Sequence, residues 1–140
     1  MNNTMDLEMP VTATQVRDAD RVKMLPKYFG RDLMRVESAI YAFMDRLCEN
    51  YQGGYWDFYE LSNGGFYMAP ATEEMLNLSW AENYFQGEMS ADAAGVVACL
   101  FAYNHLAWET RDESLILMYE SLREYVGFHT EASLIFRAID

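Results

Sequence analysis

The dipeptide Asn63-Gly64 lies inside YQGGYWDFYELSNGGFYMAP (residues 51–70), between two extended runs rich in aromatic residues. It is the strongest local constraint in the chain. Asn and Gly tolerate the positive φ that a two-residue type I′ turn needs at both central positions, so the segment reads as a β-hairpin. With Ser62 opposite Gly65, antiparallel pairing sets Leu61 against Phe66, Glu60 against Tyr67, Tyr59 against Met68 and Phe58 against Ala69. Alternation then gives one face Asp57, Tyr59, Leu61, Phe66 and Met68, and the other Trp56, Phe58, Glu60, Tyr67 and Ala69. Both faces carry apolar bulk. One must be covered by helices, and the other is left to a flanking segment or a partner.

The rest of the chain alternates helical and extended patterns. Residues 1–10 are polar and unpatterned up to Pro10 and read as a flexible tail, with residues 11–140 as a single domain. Charges mix from Val11 to Lys23, where a short helix or turn is expected. Leu25 to Gly30 reads as a helical turn with Pro near its start and Gly at its stop. In Arg31 to Cys48, Leu33, Val36, Ile40, Phe43 and Leu47 recur at steps of three and four, the stripe of an amphipathic helix. Leu76, Leu78 and Trp80 alternate with polar residues as a third strand, and Tyr84 to Met89 fits a short fourth. Ser90 is placed to cap the next helix, with Asp92 in its first turn where the helix dipole favours negative charge. That helix runs to about Glu109. Val96, Val97, Leu100, Phe101, Tyr103, Leu106 and Trp108 cover most of its circumference, which marks it as the central buried helix. A further helix spans roughly Glu113 to Val126, and Thr130 is placed to cap a last one. Segregated elements of this kind argue for an α+β fold: an antiparallel three- or four-stranded meander packed with four to five helices.

Charge limits the partners. The chain has 22 acids against 10 bases and a formal net charge of -12. Residues 1–50 are near balance, with eight acids and seven bases, whereas residues 47–110 hold nine acids and no Lys or Arg. Phosphate contacts need cations, so direct nucleic-acid binding is not expected. A basic protein or a DNA-binding enzyme is the better match. The longest uninterrupted apolar run, Ala93 to Tyr103, is too short to span a bilayer, and the N-terminus has no basic leader, so a cytoplasmic protein away from membranes is expected. Cys48 and Cys99 lie far apart in apolar helical contexts and read as buried, reduced thiols.

Catalytic equipment is sparse. His105 and His129 are the only histidines, and neither belongs to a zinc-binding pattern. Cys99 and His105 are six residues apart on one helix, about 240° around its axis, and cannot face each other as nucleophile and base. Asp57, Glu60, Glu88 and Asp92 could converge near the sheet as an acidic cluster, but a solvated acidic surface with one helix cap is the favoured reading. No catalytic residue, metal site or cofactor is therefore assigned. Asn63, Gly64, Gly65, Ser90 and Asp92 take turn and cap roles. Trp56, Asp57, Phe58, Glu60 and Tyr67 form the candidate interaction surface, since Tyr and Trp populate both interfaces and sheet–helix cores.

Several blocks carry a family resemblance: Leu25-Pro26 with Tyr28-Phe29-Gly30, the hairpin from Gly53 to Pro70, Leu78-Ser79-Trp80, GEMSADAAG from Gly87 to Gly95, and IFRAID from Ile135 to Asp140. On these the chain resembles the ArdB/KlcA-type antirestriction proteins of plasmids and other mobile elements. The resemblance implies protection of incoming plasmid or phage DNA from host type I restriction, and it supplies no catalytic residues. Three mechanisms follow. The first is a non-enzymatic protein-binding inhibitor that engages the restriction complex or a host factor on which that complex depends. The second is an acidic DNA mimic in the enzyme's DNA channel. A domain of this size has a radius of gyration near ~14 Å and is roughly 40 Å across, a length over which duplex DNA carries about 23 charges, twice the net charge available here. The third, a small hydrolase using acidic residues such as Asp57 or Asp92, has the least support.

Overall fold

A computed structural model describes residues 9–140; the expected tail lies mostly outside them. The elements in chain order are β1 (Ala13–Gln15), α1 (Arg21–Phe29), α2 (Leu33–Leu47), β2 (Trp56–Leu61), β3 (Phe66–Pro70), β4 (Leu76–Trp80), β5 (Phe85–Met89), α3 (Ala91–Thr110), α4 (Glu113–Val126) and α5 (Ala132–Ile139). The α+β class and the helix number agree with the sequence reading. The strands, however, form two sheets rather than one meander: three strands in the order β1-β2-β3, and a separate β4-β5 pair.

The hairpin exists, but its turn is one residue longer than the Asn-Gly rule suggests. Gly64 N–H donates to the Leu61 carbonyl at 3.0 Å, and Leu61 N–H donates to the Gly65 carbonyl at 2.9 Å, so Ser62-Asn63-Gly64 form a three-residue loop. Only Gly64 takes a positive φ, 91°, as in a type I turn followed by a bulge. Asn63 is held by tertiary contacts. Its amide donates to the Ser121 carbonyl and to Glu124, and its side-chain oxygen accepts Gly65 N–H. A Cβ at Gly65 would lie 2.8 Å from Leu61 Cδ1 and 3.0 Å from Ser121 Cβ, so a side chain there requires both neighbours to shift.

This extra residue slips the register by one and moves every β3 side chain to the opposite face. The observed pairs are Trp56 with Pro70, Asp57 with Ala69, Phe58 with Met68, Tyr59 with Tyr67 and Glu60 with Phe66. One face therefore carries Trp56, Phe58, Glu60, Phe66 and Met68. The other carries Asp57, Tyr59, Tyr67 and Ala69.

Helices α1 and α2 cover the first face. Trp56 packs edge-on against Tyr41 of α2, Tyr28 and Phe29 of α1 pack on Phe66, and the Arg21 guanidinium lies 4.2 Å from the Phe58 ring centre. The Val11–Lys23 segment, expected to be helical or turned, instead opens with β1, which pairs with β2 through Ala13–Leu61, Thr14–Glu60 and Gln15–Tyr59. Helix α1 begins at Arg21 and accommodates Pro26 within it, and Gly30 ends it at φ 53°.

Helix α3 is the central helix, as its apolar circumference implies. Thirteen of its twenty residues are buried. Trp108 departs from that expectation and stands 67% exposed. Gly95 lets α3 touch β3, where a Cβ would lie 2.4 Å from Ala69 Cβ and 2.6 Å from the Met68 carbonyl oxygen. Tyr103 and Cys99, both buried in α3, donate to the Phe66 and Met68 carbonyls of the same strand. Thr130 does not cap α5. Glu131 occupies the N-cap position, and its carboxylate serves α3 instead.

A part-buried polar network beside an acidic cleft: the candidate functional site

Helices cover most of both hairpin faces. Trp56, Phe58 and Tyr67 are 3%, 6% and 1% exposed, so the aromatic part of the expected interaction surface is core. Glu60 is half-buried and bound by Lys27 Nζ at 2.7 Å and by the Tyr28 hydroxyl. These two donors hold its carboxyl below the usual carboxylate range. Glu60 is thus a structural acid on the face covered by α1 and α2. Asp57 and Tyr59 remain accessible on the other face.

On that face, three elements converge on Asp92 in the first turn of α3. Tyr67 of β3 donates its hydroxyl to Asp92 Oδ2 at 2.8 Å. His129, between α4 and α5, places Nε2 2.7 Å from Asp92 Oδ1 with only 6% of its side chain exposed. The second ring nitrogen, Nδ1, accepts the Glu131 N–H at 2.9 Å. An Nδ1 that accepts carries no proton, so the ring donates from Nε2 to the carboxylate. Glu131 accepts Ser90 N–H and the Ser90 hydroxyl, and Ser90 Oγ in turn accepts Ala93 N–H as the helix cap. Ser90 and Asp92 thus have the cap and first-turn places their sequence positions indicate. They also tie the start of α3 to the α4–α5 connection.

Ser, His and Asp meet here without forming a nucleophilic triad. The serine hydroxyl pairs with Glu131 rather than with His129, and His129 has no free nitrogen to accept a proton. Burial pushes the Cys99 thiol up to about 12 and the Cys48 thiol upward, which disfavours the reactive thiolate at either position. His105 is exposed, with Nε2 3.5 Å from Glu109. Among the described residues, no three His, Cys, Asp or Glu side chains come together as a metal-ligand group.

The network adjoins a cleft of about 290 Å³ lined by Asp57, Tyr59, Glu73, Asp92 and residues 69–72. Tyr59 stacks on Tyr67 at 4.7 Å and 11°, and Tyr67 stacks on Tyr125 at 5.6 Å. Burial raises the Tyr59 hydroxyl to about 12 and pushes Tyr67 still higher, with the Asp92 charge as the next cause in both. Three carboxylates therefore face a cleft with no Lys or Arg in its lining. Of the four acids considered for convergence, Asp57 and Asp92 meet here, while Glu60 is paired elsewhere and Glu88 stands exposed on β5. The sequence reading did not find Glu73, Tyr125, His129 or Glu131. No spacing rule joins residues of β3, α3 and the α4–α5 connection.

Comparison with known proteins agrees with this architecture. A family model described as "Antirestriction protein" matches residues 49–140. The chain belongs to the antirestriction protein family. It is 50% identical to the antirestriction protein KlcA of Escherichia coli, with 99% of each chain covered, and 43% identical to the uncharacterized protein YafX of Escherichia coli strain K12, with 95% and 90% covered. A solved structure is similar with TM-score 0.89 and 51% identity, covering 96% of this chain and 98% of that one. It is described as showing a novel fold for KlcA and ArdB and antirestriction activity against type I DNA restriction systems in vivo but not in vitro. In this antirestriction chain the matched region contains the hairpin, the Asp92 network and the acidic cleft.

Proposed function

We propose that this chain protects incoming DNA from type I restriction in the cytoplasm by binding a protein, either the restriction complex or a host factor on which it depends. The observation that carries the reading is the division of labour at Asp92. The groups that could do chemistry are consumed by structural hydrogen bonds, and what faces solvent is an acidic cleft with a tyrosine wall. A cleft of that kind matches Lys or Arg side chains of a partner. Activity of the similar KlcA and ArdB proteins in vivo but not in vitro favours a requirement for a component beyond the purified enzyme. It also weighs against DNA mimicry, which needs only the enzyme. Ion pairs further dilute any phosphate-like array, since Asp20, Glu60, Glu109 and Asp140 each sit beside an Arg or Lys.

Asp57 and Glu73 have no ion-pair partner among the described residues, so replacing them leaves the fold within about 0.5 kcal/mol. Asp57→Lys and Glu73→Lys variants with unchanged melting are expected to protect unmodified phage on a type I restricting host at least about tenfold less well, the effect of roughly 1.4 kcal/mol of lost affinity. Asp57→Asn should lose less than Asp57→Lys. Full protection by both lysine variants would remove the cleft from the mechanism. Abolition by Asp57→Asn equal to that by Asp57→Lys would favour the hydrolase reading.

A further inference from the structure

A second surface lies at the α3–α4 corner and shares no lining residue with the Asp57 cleft. Here Asn104, Ala107, Trp108, Arg111, Ile116 and Tyr119 line a cleft of about 300 Å³. Trp108 is the exposed member of the three tryptophans, Ile116 is 42% exposed, and the adjoining Leu117 is 62% exposed. Trp, Tyr and Arg are the residue types that dominate the energetics of protein interfaces, and this cleft brings one of each together.

Arg111 provides a separate observation. It ends α3 in the left-handed region, φ 60° and ψ 24°, a position that usually falls to glycine. Its guanidinium lies 5.5 Å from the Trp108 ring centre and has no ion-pair partner among the described residues. Of the nearest carboxylates in sequence, Glu113 is exposed and makes no ion pair with Arg111, and the other two are engaged elsewhere. Glu109 pairs with Arg35 and His105, and Asp112 accepts both the N–H and the hydroxyl of Ser114. A forked cation thus stands free at the rim of an apolar cleft, in a backbone conformation that does not favour an arginine.

We infer that this cleft docks a segment of a partner protein that carries an apolar anchor beside a carboxylate. The anchor packs between Trp108 and Ile116, and the carboxylate accepts two hydrogen bonds from Arg111. This polarity is opposite to that of the Asp57 cleft, so the two surfaces select different chemistry, and the inference does not rest on the role given to Asp57.

The test places a benzophenone amino acid at Leu117 in restricting cells challenged with unmodified phage, with the same group at exposed Ser38 as control. Adduct peptides are then sequenced by mass spectrometry in the native, Arg111→Glu and Arg111→Gly backgrounds. The expected adduct maps to a foreign segment with an apolar residue within about one helical turn of an Asp or Glu. It should fall at least about tenfold in both variants, while Arg111→Gly, which relieves the positive φ, melts higher than the native chain. The inference is overturned by no adduct above the Ser38 control, by adducts only between copies of this chain, by a segment without an acid, by an adduct undiminished in Arg111→Glu, or by an Arg111→Gly chain that melts lower.

Discussion

At the scale of single residues, the tyrosines tie the site to the core. Burial raises the Tyr59 hydroxyl to about 12, pushes Tyr67 further, and holds Tyr103 well above its ordinary value. In the unfolded chain the same hydroxyls ionise near pH ~10. Between these values the folded state keeps protons that the unfolded state has lost, so folding stability is intact below about pH 10 and falls as pH rises beyond it. The denaturation midpoint at pH 11 should therefore lie well below that at pH 9, with the phenolate absorbance appearing together with unfolding. Equal midpoints would show that these hydroxyls ionise in the native state. His129 illustrates how little of the network is visible in sequence. Its spacing fits no ligand motif, and its partners Asp92 and Glu131 come from α3 and from the cap of α5. Only the fold brings them together. Ser90 and Asp92 were legible because a helix cap is a local event, decided within four residues.

At the scale of elements, helix periodicity and strand alternation located α2, α3, α4 and four of the five strands. Local rules failed where tertiary contacts outweighed them. The Asn63-Gly64 pair satisfies a two-residue turn, yet the contacts of Asn63 with α4 favour the three-residue loop, and that single added residue reversed the facing of β3. Strand β1 was missed because three residues with exposed Thr14 and Gln15 carry no alternation to read. The α3–β3 contact makes the clearest prediction about an element. Alanine favours a helix over glycine by about 1 kcal/mol, but at Gly95 its methyl would overlap Ala69 and the Met68 carbonyl. The overlap prevails. Gly95→Ala should destabilise the protein by about 3 kcal/mol, measured by chemical denaturation, and a stabilised variant would contradict the close packing of α3 on β3.

At the scale of the whole molecule, the charge distribution sets the Asp57 cleft apart from the rest of the surface. The bases lie before residue 47 and after residue 110, and many are paired with acids or lie over aromatic rings. The Asp57 cleft belongs to the base-free middle and is left uncompensated. An accessible acidic cleft fixed at Asp92 by Tyr67 and His129 suits recognition of a basic partner, and recognition implies stoichiometry. The most direct test measures how well unmodified phage plates on a type I restricting host as the number of copies of this protein per cell is varied. A binding inhibitor gives protection that rises with copy number and saturates, and Asp57→Lys with Glu73→Lys displaces the whole curve to higher copy number. Full protection from a few copies per cell, unmoved by that double replacement, would contradict the account.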